Sequence, residues 1–547
     1  MKHALIGGAI VALVAGLAPF GTASAQHMPR LARSDADQAV AAIGLNRTNP
    51  ERLSFERAEF RSGVYTFTNV IFHHTSEAEP GQDDEPELEE IHAARMIFDS
   101  PRLDADGNLL LHAFTLEDIT SDDGDGAFRI ERVSLAEPNP AMSADLGRIL
   151  RGEGDAEEFD SRWEMYRFAL LAMDNLALTG EEADGVFAIR LDRLAFIDYA
   201  TDALGRFEFL GFSMDVEAED GPVSVGLAEV SVDGLSTSSY SGLMEAAAAG
   251  ADEAEMMAAY YATDFEDQMD LFDRALIRDF DMRMPGLAVT LDQIEMTMQE
   301  RNALFESHVE LGALRIVPDP TVAMGAEIAA SLSLLGYESL EVSMEGNSVY
   351  DPQAGRAYTT GENYLELRDG LRLDLATDIG GYREYLANLR TLSAQAVLDA
   401  QARENAGAKT GDESDAETEM APDYMFDAMD PLTINRIALR LEDRSLLARG
   451  FAAGAAVQGI TPEEMRAQAG LMVAAGMMAA PPEIPRTLLS EIAAALTSFI
   501  NQGGSLSIEL APPVPVTIGE LKTQIEDDAI DFTSLGLQAT AEPPAGD

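Results

Sequence analysis

Residues 189–196 read IRLDRLAF. Ile189 and Leu191 alternate with polar neighbours, as in a half-buried strand. Leu194 and Phe196 alternate as well, but one residue out of phase. With φ for an apolar residue, the stretch is φxφxxφxφ. The same frame recurs at 109–116 (LLLHAFTL), 128–135 (FRIERVSL), 207–214 (FEFLGFSM), 225–232 (VGLAEVSV), 289–296 (VTLDQIEM), 309–316 (VELGALRI), 335–342 (LGYESLEV), 432–439 (LTINRIAL) and 530–537 (IDFTSLGL). Looser copies begin at Leu53, Tyr65 and Ile91. Starts at 189, 207 and 225 are 18 residues apart, and starts at 91, 109 and 128 are 18 and 19 apart. A fixed period marks a repeated supersecondary unit. This period suits one long strand plus a short turn. The intervening Asp104–Gly107, Asp122–Gly126, Asp202–Gly205 and Glu219–Pro222 are turn-formers. Short turns join antiparallel neighbours.

Two geometries satisfy the phase switch. A β-bulge at the fourth and fifth positions returns both apolar pairs to one face and bends the strand. Alternatively, the pairs lie on opposite faces, each covered by a helix. Recurrence at one place in the frame favours the bulge and a strongly curved sheet. Arginine holds the fifth position at Arg57, Arg95, Arg132, Arg193 and Arg436. The expectation there is a surface cation paired with neighbouring carboxylates.

Helical spacing appears four times. Phe159, Trp163, Tyr166 and Leu170 predict a helix over 156–172. Met257, Tyr261, Phe265, Met269, Phe272 and Leu276 fall within a helical stretch at 238–280, and 380–402 is a third. The fourth opens at Thr461-Pro462-Glu463-Glu464, a capping box with proline in the first turn. After Pro485, Leu488, Ile492, Leu496 and Phe499 mark another helix ending near Gly503-Gly504. The expected fold is α+β: a long, curved, groove-like antiparallel β-meander with helices packed against or between strand groups.

The domain plan follows from composition. Residues 1–25 read as a secretory signal, with Lys2 and His3 before an apolar stretch at 4–20 and a small-residue site at Ala23–Ala25. Residues 26–402 form the meander with its helical insertions, 403–423 an acidic disordered linker, 424–540 a C-terminal α+β region and 541–547 a loose tail. Residues 77–90 are acidic and read as disordered. The predicted address is the bacterial periplasm or the extracellular space. The stretch 470–480 is too short to span a membrane and ends at Pro481-Pro482. No integral span is expected after cleavage.

The 547 residues carry 96 Asp plus Glu against 37 Lys plus Arg, a formal charge of −59. Such a field repels phosphate backbones and anionic lipid surfaces, so nucleic acid is a poor partner. There is no cysteine, hence no disulfide framework and no thiol nucleophile. Neither a GxSxG elbow, a phosphate-binding GxxxxGK[ST] nor an HExxH occurs. His73 and His74 with Glu77 and Glu79 are a poor metal set, because adjacent strand side chains point to opposite faces. Asp104–Asn108 departs from a calcium loop: Gly107 is misplaced and Thr115 stands where a bidentate glutamate belongs. Asp122, Asp123 and Asp125 can offer only a weak calcium site. No catalytic, cofactor-binding or metal residues are assigned and no cofactor is expected. The apolar stripe at 257–276 and Trp163 read first as core.

Two stretches carry a resemblance. One is LGYESLEVSMEGNSVYDPQAGRAYTTGENYLELRDGLRLDLATDIGGY at 335–382. The other runs over 432–521, from LTINRIALRLEDRSLLARGF through GITPEEMRAQAG to SFINQGGSLSIELAPPVPVTIGEL. With the signal and the repeated strands, they resemble uncharacterised bacterial periplasmic proteins of the YdgA and AsmA-like type. That resemblance implies a curved β architecture and a part in envelope or lipid homeostasis, and transfers no functional residue. AsmA-like proteins keep an N-terminal anchor, whereas Ala23–Ala25 here reads as cleavable. The function expected is that of a non-enzymatic envelope protein whose curved sheet binds an apolar, lipid-like ligand or a partner segment. The alternative is an acidic structural or surface scaffold stabilised by divalent cations.

Overall fold

The computed structural model describes residues 31–49, 52–75, 88–122, 126–153, 165–182, 185–200, 203–218, 221–236, 271–389, 391–392, 427–480, 484–527, 530–532 and 534–544. Two compact units divide these residues. The first runs up to 236 and takes in Phe272–Pro285; the second takes in Leu271 and runs on from Gly286.

The first unit is an antiparallel meander. Its strands are β1 (Leu53–Ser54), β2 (Arg57–Arg61), β3 (Val64–Thr75), β4 (Leu88–Asp99), β5 (Arg102–Leu103), β6 (Leu109–Leu110), β7 (Ala113–Asp122), β8 (Gly126–Ala136), β9 (Phe168–Glu182), β10 (Gly185–Ala200), β11 (Ala203–Ala218), β12 (Gly221–Leu235) and β13 (Arg274–Met284). β3 pairs with β4, β4 with β7, and each strand from β7 to β13 with the next. β5 and β6 form a separate two-stranded ribbon. The segment 189–232 therefore lies in three consecutive paired strands.

The phase switch now has a physical form. Arg190 pairs with Ser213 and Arg193 with Leu210, so each strand advances three positions from one pair to the next, with two residues between, and the register does not slip. The same in-register interruption crosses the sheet at Asn69, Ala94, Asp118, Glu131, Asn175, Asp192, Gly211, Ala228 and Asp279. Every second strand meets it in the left-handed region: Asn69, Asp118, Asn175, Gly211 and Asp279 have φ of 50°, 50°, 54°, 65° and 52°. Asn and Asp tolerate that region better than other side chains. At Gly211 a side chain would collide with Asp192. Both members of a pair carry the extra residue at the same level, so the apolar frame resets without a one-sided bulge.

The reset puts both halves of the frame on one core. All four frame positions of β4 (Ile91, Ala93, Met96, Phe98) and of β8 (Phe128, Ile130, Val133, Leu135) pack into the same cluster. Leu191, Leu194 and Phe196 of the opening stretch join it. Helix α1 (Arg33–Ala42) adds Ala39 and Val40, and helix α2 (Pro140–Arg151) adds Met142, Leu146 and Leu150. Asn139 caps α2 through the Met142 amide, and Arg52 closes its other end on the Leu150 carbonyl at 2.7 Å. Full burial of Phe67, Phe98 or Tyr166 contributes about 1.5–3 kcal/mol each.

Beside the interruption runs a ladder of charges. Arg95 stands opposite Glu117, Glu117 opposite Arg132, and Arg132 opposite Asp174. Asp174 is 2.8 Å from Arg193; further on, Glu229 is 2.7 Å from Arg278. All five frame arginines meet a carboxylate: Arg57 with Glu59, Arg95 and Arg132 with Glu117, Arg193 with Asp174 and Glu208, Arg436 with Glu509.

The second unit contains β14 (Leu287–Arg301), β15 (Leu304–Pro318), β16 (Leu340–Asp351), β17 (Arg356–Thr359), β18 (Tyr364–Leu367), β19 (Leu371–Gly380), β20 (Thr433–Asp443), β21 (Gly504–Leu510), β22 (Val516–Thr517) and β23 (Leu537–Glu542). Its helices are α3 (Ala323–Leu334), α4 (Leu446–Gln458), α5 (Pro462–Ala479), α6 (Arg486–Gln502) and α7 (Ile518–Glu526). The capping box read at Thr461 and Glu464 is present. Here the bulges are one-sided, at Leu311/Leu314 of β15 and at Asn435 of β20.

Several expectations need correction. Phe168–Glu182 is a strand, so the helix read over 156–172 does not reach 168; residues 154–164 lie outside the described residues. Leu171, Met173, Leu176 and Leu178 carry the strand frame there, and the spacing of Tyr166 and Leu170 mimicked a helical turn. Likewise Arg274–Met284 is a strand, while 237–270 lie outside the described residues. Residues 382–389 and 391–392 are helical, and 393–402 lie outside. The frames at 109, 335 and 530 are not continuous strands: β7 starts at Ala113, β16 at Leu340 and β23 at Leu537. Ala541 and Glu542 belong to β23, so the tail begins later than 541. Of the acidic run 77–90 read as disordered, 88–90 open strand β4, paired with β3, and 77–87 lie outside the described residues, as do the linker 403–423 and 1–30. The linker does not divide the units. β19, before it, pairs with β20, after it, and the division falls at Pro285/Gly286.

The left-handed site at Asn175 makes a direct test. Asn175→Val should destabilise the protein by about 1–2 kcal/mol, whereas Asn175→Gly should leave urea unfolding nearly unchanged. Equal losses from both would show that the backbone conformation does not matter there.

Candidate apolar binding face

The second unit folds one side of its sheet from apolar residues alone over long distances. Directly opposed residues of antiparallel strands share a face. One cross-strand row runs Ile294, Leu311, Met344, Leu365, Leu373, Leu441, Leu506, Ala541. A second runs Leu291, Leu314, Val342, Leu367, Leu371. A third joins Leu375, Leu439, Ile508 and Ala539. The one-sided bulge in β15 keeps the first two rows on the same face, because β16 alternates regularly through Leu340, Val342 and Met344 while β15 does not.

Helix α6 covers one end of this face. Ala495, Leu496 and Phe499 pack on Leu441, Leu506, Ala539 and Ala541. Away from α6, Leu365 is 46% exposed, Leu375 42% and Ile508 36%, while Leu291 is buried and the remaining row residues are half-buried. Of the large apolar side chains exposed among the described residues, only Met165 and Val186 lie in the first unit. α5 has no buried residue and leaves Leu471, Met472 and Met478 in solvent.

The other face is polar. Its row reads Glu295, Glu310, Glu345, Tyr364, Asp374, Arg440, Ser507, Thr540. Three glutamates in direct register repel one another, a cost this face bears in a chain already rich in carboxylates. Arginines offset it nearby. Arg315 bridges Asp292 and Glu341 at 3.0 Å each, and Arg372 lies 3.9 Å above the Tyr364 ring while bonding Asp374 at 2.8 Å. Arg356 grips Asp378 with both nitrogens, at 2.6 and 2.5 Å, and Asn435 adds a bond of 3.0 Å. The Arg356 bonds, outweighing partial burial, hold the Asp378 carboxyl below its ordinary value.

Residues weighed from sequence are not brought together as a site. His73 meets Glu90 at 3.4 Å and Ser54 at 3.4 Å, and His92 meets the same Glu90 at 3.5 Å. The side chain of His74, and Glu77 and Glu79, lie outside the described residues. His308 bonds Asn347 at 2.9 Å. Asp104 accepts from the Asp106 and Asn108 amides, closing the turn between β5 and β6. Those bonds, the one from Asn108 first, lower its carboxyl. Asp123 and Asp125 lie outside the described residues, as do Trp163 and the stripe from Met257 to Met269. Leu276, at the end of that stripe, is buried in β13. Among the described residues no group of three or more His, Asp and Glu side chains is placed to hold a metal ion. No described helix is long and apolar enough to cross a membrane.

Sequence reading missed the face because its rows run across strands far apart in the chain. The signal was present: the repeated LEL and LRLDL of 365–375 and the SLSIEL of 505–510 alternate apolar with polar residues.

A protein-family model described as "Uncharacterized protein" matches residues 364–542. The match covers β18 to β23, the part of the face that includes Leu365, Leu375 and helix α6. No curated protein matches the chain. Neither comparison connects the chain to an enzyme.

The Asp378 ion pair carries a pH signature. A carboxyl lowered on folding adds stability above its unfolded value, near pH 4, and that stability is lost as pH falls through the lower folded value. Asp378→Asn should therefore flatten the acid limb of the stability curve between about pH 5 and 2 while leaving its shape above pH 6 unchanged. An identical acid limb in the variant would mean that Asp378 is no better bound folded than unfolded.

Proposed function

We propose that the protein works without catalysis in the bacterial envelope, holding a lipid-like apolar molecule against the open face of the second unit's sheet. The observation that carries this reading is the uninterrupted row from Ile294 to Ala541, half of it outside the cover of helix α6 and with Leu365 and Leu375 more than two-fifths exposed. Soluble monomers seldom leave a contiguous apolar patch of that kind without using it. Apolar contact needs no opposite charge, so a chain of −59 can still bind an apolar tail. The export signal read at 1–25 places the binding in the periplasm, and the resemblance to AsmA-like proteins supports a part in envelope or lipid homeostasis. We read the sheet as groove-like on that ground. A partner segment is the other occupant such a face admits.

Native mass spectrometry of the protein purified from a bacterial periplasm is expected to show an apolar adduct that organic extraction releases. Leu365→Asp combined with Leu375→Asp should lower its occupancy about tenfold or more, since a charge would then face the ligand. A wild-type chain that carries no adduct and takes up no added long-chain lipid would contradict the reading.

A further inference from the structure

One edge of the apolar face holds an unused polar group. The Tyr337 hydroxyl is buried and has no hydrogen-bond partner, and the residue is 7% exposed. A buried polar group left unpaired is costly and calls for an explanation. The hydroxyl lies against the Leu367 side chain, close enough to Gly370 that any side chain there would overlap it. Leu367 and Leu371 end the row that begins at Leu291. So an apolar track across five strands, about 19 Å long at ordinary strand spacing, runs to a free phenol.

A cation stands beside it. The Arg449 guanidinium lies 4.2 Å over the Tyr337 ring. It donates to Ser445 Oγ at 2.7 Å and to the carbonyls of Gly336 and Leu335. These partners are neutral. Among the described residues no carboxylate comes within ion-pair distance of Arg449, in a chain where acidic residues outnumber basic ones 96 to 37. Along the sheet Asp443 stands opposite Leu371, and its carboxylate accepts from the Leu447 amide at 2.9 Å.

Resting on the function proposed above, we propose that Tyr337 and Arg449 form the head-group subsite of the face and that its ligand is a long-chain fatty acid. The tail lies along the row from Leu371 to Leu291, a length close to that of an extended palmitoyl chain. The carboxylate accepts from the Tyr337 hydroxyl and pairs with Arg449. Leu367 is half-buried beside Gly370, and a change of its rotamer admits the head; such side-chain shifts are common on binding. A ligand whose head carries no charge would leave Arg449 without its ion pair.

Calorimetric titration of the full chain with palmitate and with methyl palmitate, below their aggregation thresholds, tests this. Wild type should bind the acid about tenfold more tightly than the ester, the usual worth of hydrogen bonds to a charged group. Tyr337→Phe should lower that ratio severalfold, weakening the acid more than the ester. Arg449→Gln should do the same, and Tyr337→Phe keeps the test intact if the loss of Arg449 disturbs the fold. Equal binding of acid and ester by wild type, or an unchanged ratio in Tyr337→Phe, overturns the subsite and leaves the apolar face standing. Failure of wild type to bind either compound removes both the subsite and the face.

Discussion

The fold of the first unit depends on one constraint: an apolar frame that changes phase has to change it in both members of every strand pair at the same level. Because neighbouring strands carry the same frame, an extra residue in only one of them would slip the register and set apolar positions of one strand opposite polar positions of the next. Here Asp192 faces Gly211, Glu131 faces Asn175, and Ala94 faces Asp118, so the interruption crosses the sheet as a row. Left-handed residues in alternate strands satisfy it. The core then receives Leu191, Leu194 and Phe196 together. The arginines and carboxylates flanking the row are part-exposed, and pairs of that kind contribute only about 0–1 kcal/mol each. Their alternation in sign penalises the wrong register more than it stabilises the right one.

The second unit uses the same long strands for a different end. β14 and β15 share one such interruption, between Leu291/Leu314 and Ile294/Leu311, but the unit adds one-sided bulges in β15 and β20, and its sheet has an apolar face and a charged one. Its buried residues are fewer, and Ala495 and Phe499 of α6 pack with Leu506 of β21 in a cluster of their own. The first unit buries its apolar face in a core closed by α1 and α2. The second leaves Leu365, Leu375 and Ile508 of its own exposed, which is why the functional reading rests there.

Much of this was legible in the chain. The frame at 189, 207 and 225 located three adjacent strands, the phase switch located the interruption, and the fifth-position arginines pointed to their carboxylate partners. The capping box at Thr461 and the helix after Pro485 are where their residues imply. What was not legible has physical reasons. A frame read by apolar spacing alone cannot tell a strand from a strand joined to a turn, as at 109–116, or from the end of a helix, as at 335–339. Helical spacing at Tyr166 and Leu170 competes with strand alternation until the neighbouring strand is known. The linker at 403–423 looked like a boundary because composition does not reveal that β19 and β20 pair across it. The apolar face and Tyr337 were invisible for the same reason: rows form between residues distant in sequence, and an unpaired hydroxyl is a property of packing.

The absence of cysteine permits a direct test of the shared phase change. Single cysteines at Leu191 and Leu194, with Arg190 and Asp192 as controls, would be labelled with a thiol reagent in the folded protein. The account predicts slow labelling at both 191 and 194 and fast labelling at 190 and 192. If 191 is protected while 194 reacts as fast as the controls, the two halves of IRLDRLAF lie on opposite faces, and the architecture described above is wrong at its foundation.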